Sequence, residues 1–388
     1  MSVYDLVQHS LEKLKRYVEA NEFKGWDPYD GLNSKVFQMT PFRRSFLVRL
    51  AWIQFFKRSP INFRKVFLVE KAHNAKGLAL FLSGYVNLYK LDPQPEYYER
   101  ILYLVEKIQE SISPGYSGAC WGYNFDWQAR AFFQPKGTPT VVATTYVSCA
   151  LLDFYDISGI ESLLKLARSS CDFVMKDLHK TYDKNGNFCF SYSPLDQTQV
   201  FNASLLGSRL LSRVYHYTKE NHLKEAAGKS VAYCCEQQQE NGAWAYGTLP
   251  FHSWIDNFHT GFNLECISEY QRCCLDQQFS KNLIVGMEFY LKNFFTEKGE
   301  AKYYHKKLYP IDIHAPAQLV VSLFRLGQLQ SSERLVNQVL RWTIQNMFSK
   351  QGYFYYQLKP GANSRIPYMR WAQAWMQRAL TELVYGCR

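Results

Sequence analysis

No stretch of this 388-residue chain offers the roughly 18 uninterrupted apolar residues of a membrane-crossing helix. Segment 1–21 is amphipathic, broken by Asp5, Glu12, Lys13, Lys15, Arg16 and Glu19. It lacks the continuous apolar core of a secretory signal, so the cytoplasm is the expected compartment. Ten cysteines occur singly or as the pairs Cys234-Cys235 and Cys273-Cys274, without a CxxC or a zinc-ligand spacing. They read as small core residues, and no metal is expected. Gly228-Lys229-Ser230 lacks the earlier glycine of a phosphate-binding loop, and GxGxxG, HExxH and GxSxG are absent. Nucleotide-dependent transfer and a bound cofactor are therefore not expected. Long linkers and low-complexity segments are missing too, which argues for residues 1–388 as a single domain.

Acidic residues are scarce in one region. The chain carries a net charge of +11, and between Arg43 and Lys76 nine basic residues stand against Glu70 alone. The runs Arg43-Arg44-Ser45-Phe46-Leu47-Val48-Arg49, Phe55-Phe56-Lys57-Arg58 and Arg64-Lys65 interleave cations with aromatics. Such a segment suits anionic lipid headgroups, phosphates or an acidic polymer, and would hold the protein at the inner membrane's periphery or against a glycosyltransferase. It also suits a solvated helix face with snorkelling stems. No nucleic-acid recognition module accompanies it, so nucleic acid is not an expected partner.

Aromatic residues, by contrast, make up 16% of the chain. Many stand in short glycine-aromatic turns, each followed by an apolar helical stretch: Gly25-Trp26, Gly118-Ala119-Cys120-Trp121, Gly186-Asn187-Phe188, Gly242-Ala243-Trp244, Gly299 running into Tyr303-Tyr304, and Gly352-Tyr353-Phe354. The turns recur at intervals near 56 residues, and units repeating at this period cannot bury their apolar faces alone and stack on their neighbours. Apolar periodicity predicts helices over 4–19, 44–57, 72–90, 97–111, 140–155, 160–176, 199–218, 222–238, 257–272, 279–294, 313–327, 331–347 and 367–385. Strand-like alternation is confined to pieces such as 188–192 and 353–356. Aligning the second helix of each unit puts Asn202, His259, His314 and Arg370 in equivalent places, 57, 55 and 56 residues apart. Comparable starts at His73-Asn74 and Thr144-Thr145 make six. Six helical hairpins whose inner helices point the same way close into an all-α (α/α)6 toroid, with a cavity where the inner helices begin.

That register defines candidate site residues. Neighbouring helices sit about 8–10 Å apart, so His259 and His314 can reach one ring-sized ligand. Helix N-termini favour anions in the same place. Removing a proton α to a carbonyl or carboxylate needs a base, an opposing acid and a cation. His259 and His314 suit proton exchange, Tyr368 suits a phenolic acid, and Arg365 or Arg370 suits a bidentate clamp on a uronate carboxylate. The same histidines equally suit a polar layer that merely caps the toroid. His73, Asn202, Asp256, Asn257 and Asp312 stand at the same helix starts, the two aspartates also as preferred N-caps. Trp26, Trp121, Trp244 and Trp371 offer flat faces to a sugar as well as packing area. Glycoside hydrolysis instead needs two carboxylates roughly 5–5.5 or 6.5–9.5 Å apart. Asp126, Asp256 and Asp312 are available, and Asp126 within Tyr123-Asn124-Phe125-Asp126-Trp127 has the surroundings of a sugar subsite.

Gln238-Gln239-Glu240-Asn241-Gly242-Ala243-Trp244 resembles the Q-x-x-x-G-x-W repeat of triterpene cyclases, which implies an α/α toroid. The acidic D-x-D-D and D-D-x-x-D motifs of terpenoid chemistry do not occur. Gly25-Trp26-Asp27-Pro28-Tyr29-Asp30-Gly31-Leu32, Arg58-Ser59-Pro60-Ile61-Asn62-Phe63-Arg64, Gly137-Thr138-Pro139-Thr140, Ile255-Asp256-Asn257-Phe258-His259-Thr260-Gly261-Phe262 and Arg370-Trp371-Ala372-Gln373-Ala374-Trp375-Met376 look like α/α-toroid proteins encoded with bacterial surface-polysaccharide biosynthesis enzymes. The tail from Arg370 to Leu380 is also similar to the toroid of glucuronyl C5-epimerases. N-acylglucosamine 2-epimerases share the architecture and use paired inner-helix histidines as acid and base, a role the resemblance implies for His259 and His314. The implied protein binds or modifies an anionic, uronate-type glycan or lipid-linked oligosaccharide by epimerase or lyase chemistry. A non-catalytic glycan-binding scaffold that docks glycosyltransferases, a glycoside hydrolase and a terpenoid-cyclase-like enzyme are the alternatives.

Overall fold

Several segments of this chain are apolar around their whole circumference, and a helix of that kind has to be enclosed by others. The computed structural model describes residues 2–386, and its helices are α1 (Val3–Ala20), α2 (Lys35–Gln38), α3 (Phe46–Arg58), α4 (Ala75–Leu91), α5 (Pro95–Glu110), α6 (Val141–Ser158), α7 (Glu161–Asp172), α8 (Phe201–Thr218), α9 (Asn221–Glu236), α10 (Asn257–Cys274), α11 (Ser280–Phe294), α12 (His314–Arg325), α13 (Glu333–Met347) and α14 (Trp375–Gly386). The enclosed ones are α4, α6, α8, α10, α12 and α14. Each packs on the next, and α14 packs back on α4, so the inner ring closes. Outside it, α5, α7, α9, α11 and α13 lie against the inner helix that precedes each. The amphipathic α1 seals the remaining gap against α13 and α14. The (α/α)6 toroid expected from the repeats is the observed fold.

Each of the thirteen expected helical windows holds a helix, with ends shifted by a few residues; α2 was not expected. The largest shift is in the last inner helix, where Met369–Ala374 winds as a π-helix before α14 begins. Strands are confined to three antiparallel pairs: β1 (Trp127–Gln128) with β2 (Phe133–Gln134), β3 (Lys180–Tyr182) with β4 (Phe188–Phe190), and β5 (Ile311–Asp312) with β6 (Gln357–Leu358). The alternation at 353–356 forms no strand; Phe354 makes only an isolated bridge to Phe348.

The glycine-aromatic turns work as seams between outer helices. At Gly242 the backbone has φ +90°, and an added Cβ would lie 2.1 Å from the carbonyl oxygen of Val285 on α11. Gly352, at φ +89°, meets Lys13 of α1 in the same way. Only glycine tolerates both the dihedral and the approach. The turn indoles then tie off the preceding helix end: Trp121 Nε1 donates to Ile108 O at 2.8 Å, and Trp244 Nε1 to Cys234 O at 2.9 Å. Carbonyls left open in a last helical turn need such partners.

Toward their C-terminal halves the inner helices carry buried charge, which forms a floor to the ring. Arg213 Nη1 donates to Asp153 Oδ1 at 2.8 Å and its Nε lies 3.4 Å from Glu269. Arg209 faces Glu265 at 3.3 Å, while Arg325 and Arg378 both reach Glu382 at 3.1 Å. Burial alone would force these carboxyls to take up protons; the opposing guanidinium of Arg213 overcomes it and holds Glu269 down to about 2.

Candidate functional site

The opposite end of the ring, where the inner helices begin, opens into a cavity of about 390 Å³. Its walls are aromatic. Tyr246 stacks on Trp254 at 4.5 Å, and Tyr123 and Tyr192 share a 2.9 Å hydroxyl contact. Trp127 of β1 and Trp371 of the π-helical turn also face the space. Such flat faces with polar edges suit sugar rings.

Two histidines on neighbouring inner helices face this space with different partners. Asp256 caps α10 by accepting the His259 backbone N–H at 3.0 Å, and it also takes the imidazole Nδ1 at 2.7 Å. Trp254 Nε1 donates to the same carboxylate at 2.9 Å. The carboxylate therefore fixes the ring orientation and leaves Nε2 for a ligand. His314 begins α12 and has no such partner. Its ring is 2% exposed, lies parallel to Phe258 at 4.4 Å and meets Trp371 edge-on at 5.2 Å. Neither ring nitrogen has a hydrogen-bond partner. Burial first, then the cations Lys76, His259 and Arg370, hold its pKa well below the usual imidazole value, so it is neutral at pH 7. Both imidazoles touch Phe258 and Phe262, which places them on one wall.

Lys76 is the feature the sequence pattern missed. Asn74 caps α4, so the helix starts three residues later than its expected beginning at 72, and Lys76 rather than His73 turns inward. Its ammonium sits 4.1 Å from the Tyr146 ring centroid and 5.2 Å from that of Trp375. No carboxylate pairs with it among the described residues. Burial and the nearby Arg370 and Arg378 hold its pKa well below that of an ordinary lysine. A lysine inside the otherwise apolar start of an inner helix was the available signal. Lys57 of α3 also lines the cavity, donating to Tyr29 Oη at 2.7 Å. Lys57, Lys76, Arg130 and Arg370 contribute to the lining, whereas no aspartate or glutamate does among the described residues.

Of the residues singled out from sequence, His259, His314, Asn202, Arg370 and Trp371 line the cavity. The buried Asn202 Oδ1 has no partner. Arg370 needs a correction: its fork closes on Asp27, with Nε at 2.6 Å and Nη2 at 2.8 Å, so it is not a free clamp for a substrate carboxylate. Asp256 and Asp312 act behind the wall. Asp312 accepts from the His314 backbone at 3.0 Å and from Trp371 Nε1 at 2.9 Å, and burial pushes its pKa up to about 6.

The others lie elsewhere. Tyr368 is fully buried beneath the guanidinium of Arg64, and burial raises its pKa, so it is no acid for the cavity. Asp126 caps a loop by accepting Lys136 N at 2.7 Å. Arg365 is exposed over Tyr355. His73 bonds Glu22 O, and Asn257 points to Tyr290 of α11 at 3.1 Å. Trp26 donates to Val69 O at 2.9 Å, and like Trp121 and Trp244 it is a structural staple rather than a sugar platform.

The sequence matches no protein-family model, and the search of curated proteins gave no match. Solved structures are similar in fold. Cellobiose 2-epimerase from Bacillus thermoamylovorans has a TM-score of 0.65 at 11% identity, covering 81% of this chain and 88% of that one. A GH76 α-mannanase from Bacteroides thetaiotaomicron gives 0.62 at 11% identity over 82% and 87%. A polysaccharide lyase gives 0.61 at 10% identity over 100% and 97%. At these identities the shared property is the toroid, which hosts three different reactions in these proteins.

Proposed function

We propose that this chain is a carbohydrate-modifying enzyme that moves a proton at a carbon next to a carboxylate or carbonyl of an anionic, uronate-type sugar. The observation that carries the reading is the pairing of two unlike histidines beside an unpartnered Lys76 in a cavity lined without carboxylates. Neutral His314 takes the proton; the C–H electron pair passes into the adjacent carboxyl or carbonyl as an enolate. Lys76, protonated once a bound anion offsets its burial, balances that charge, and the substrate's own anion makes a protonated His314 tolerable in a buried site. His259, its ring held by Asp256 so that Nε2 faces the cavity, returns a proton to the opposite face of the carbon for epimerisation. In a lyase variant it protonates the departing oxygen. Glycoside hydrolysis fits less well, because it needs two carboxylates across the scissile bond. The motif resemblance to surface-polysaccharide toroids supports a bacterial surface glycan or its lipid-linked precursor as the substrate.

The test is NMR of uronosyl oligosaccharides incubated with the full chain in deuterated water. Deuterium should enter at a carbon α to the carboxylate or carbonyl, and His259→Gln and His314→Phe should each abolish it. Oligosaccharides that bind without exchange would replace this reading with a glycan-binding scaffold.

A further inference from the structure

Segment 21–74, between α1 and α4, lies outside the ring of twelve helices, and its outward face is unlike the rest of the surface. Of the nineteen large apolar side chains exposed among the described residues, nine fall between Val36 and Leu68. They include Met39 at 88% exposure, Phe42 at 59%, Leu47 at 71% and Val66 at 70%. Arg43, Arg44, Arg58 and Lys65 are exposed among them, and residues 36–68 contain no aspartate or glutamate. The ion pairs of segment 21–74 within its own length go to Lys24, Lys35 and the buried Arg64, and among the described residues those four cations have no carboxylate partner. Apolar patches of this kind on a soluble fold mark interaction sites.

We infer that this face docks on an anionic lipid bilayer. Apolar tips and cations alternate within a few residues, Met39, Phe42, Arg43, Arg44, Phe46 and Leu47. In that spacing the apolar groups enter the headgroup boundary while the cations meet lipid phosphates. A folded acidic partner would match the cations but would leave side chains as protruding as Met39 and Leu47 without an apolar counterpart. The inner side of the same helix fixes the orientation: Leu50, Ile53, Gln54 and Lys57 of α3 line the cavity. Phe251, another exposed apolar residue, also lines it. Docking therefore brings the cavity close to the bilayer surface, where the head of a lipid-carried glycan stands. That last consequence rests on the function proposed above; the docking does not.

Flotation of the full chain with phosphatidylcholine vesicles, with and without phosphatidylglycerol, tests this. The protein should float with the anionic vesicles and not with the neutral ones, and added salt should weaken the binding. R43E/R44E and F42S/L47S should each lower the partition coefficient by about tenfold or more, with melting temperatures unchanged because all four side chains are exposed. Failure of the wild-type chain to float with anionic vesicles overturns the proposal and leaves a protein or a second copy as the occupant. Undiminished flotation of both variants overturns it as well, since another face would then be responsible.

Discussion

At the floor of the ring, Arg213 bridges Asp153 and Glu269 and Arg209 faces Glu265. At the mouth, Asn202 Oδ1 and both nitrogens of His314 make no hydrogen bond, and Lys76 meets aromatic rings but no carboxylate among the described residues. Both ends put polar groups inside a helical barrel, where each unpaired group costs about 1–3 kcal/mol and charged ones more. The floor sets opposite charges against each other on adjacent helices, so that every guanidinium there meets a carboxylate even though Arg209 Nε, Arg325 Nε and Glu382 Oε2 make no hydrogen bond. The mouth leaves the cost standing. Buried groups that a fold has failed to satisfy are where a ligand has something to gain, and here they share one wall with a histidine already held by a carboxylate.

The contrast can be broken in four ways. His259→Gln and His314→Phe should lower proton exchange by about 10²–10⁴-fold, read by NMR, while the denaturation midpoint moves little. A midpoint collapse instead would make the histidines structural. Arg213→Leu at the floor should destabilise by about 3–5 kcal/mol in urea titrations, because it strands Asp153 and Glu269 in the interior. Lys76→Met removes a cation of similar burial at the mouth, yet should stabilise by on the order of 1–3 kcal/mol while weakening uronate binding in calorimetry. Equal destabilisation by Lys76→Met and Arg213→Leu would erase the distinction between the two ends.

The smallest effect concerns pH. His314 has a folded pKa below its unfolded one, so below about pH 6.5 the unfolded chain binds more protons. Stability therefore falls as pH drops, by at most about 1.4 kcal/mol per pH unit from this group. His314→Phe should flatten the stability curve between pH 7 and 5; an unchanged slope would mean that His314 protonates freely in the folded ring.

The toroid was legible because its periodicity is local. Spacings of 57, 55 and 56 residues put Asn202, His259, His314 and Arg370 at one end of the ring, and all four line the cavity. What stayed hidden were pairings across distance. Arg370 finds Asp27 at a separation of 343 positions, and nothing near Arg370 announces that its fork is taken. Lys76 displaced His73 through a cap: Asn74 starts the helix, and a helical register then decides which of two nearby residues turns inward. The turn tryptophans misled because stapling a helix end and stacking on a sugar call for the same side chain.

Ring closure bears on how the site comes into being. An open helical array adds hairpins one by one and gains stability with each. Here α14 completes the ring against α4 and α1, and the same event brings Arg370 to Asp27 and Trp371 to Asp312. The cavity wall that holds His314 is thus assembled by the contact of longest range in the chain, the kind that slows folding most. Before closure, α4 with Lys76 and the π-helical turn with Arg370 and Trp371 are not yet brought together. Occupancy by ligand therefore reports the fraction of molecules whose ring has closed, and a tight ligand would act as a clasp on the fold itself.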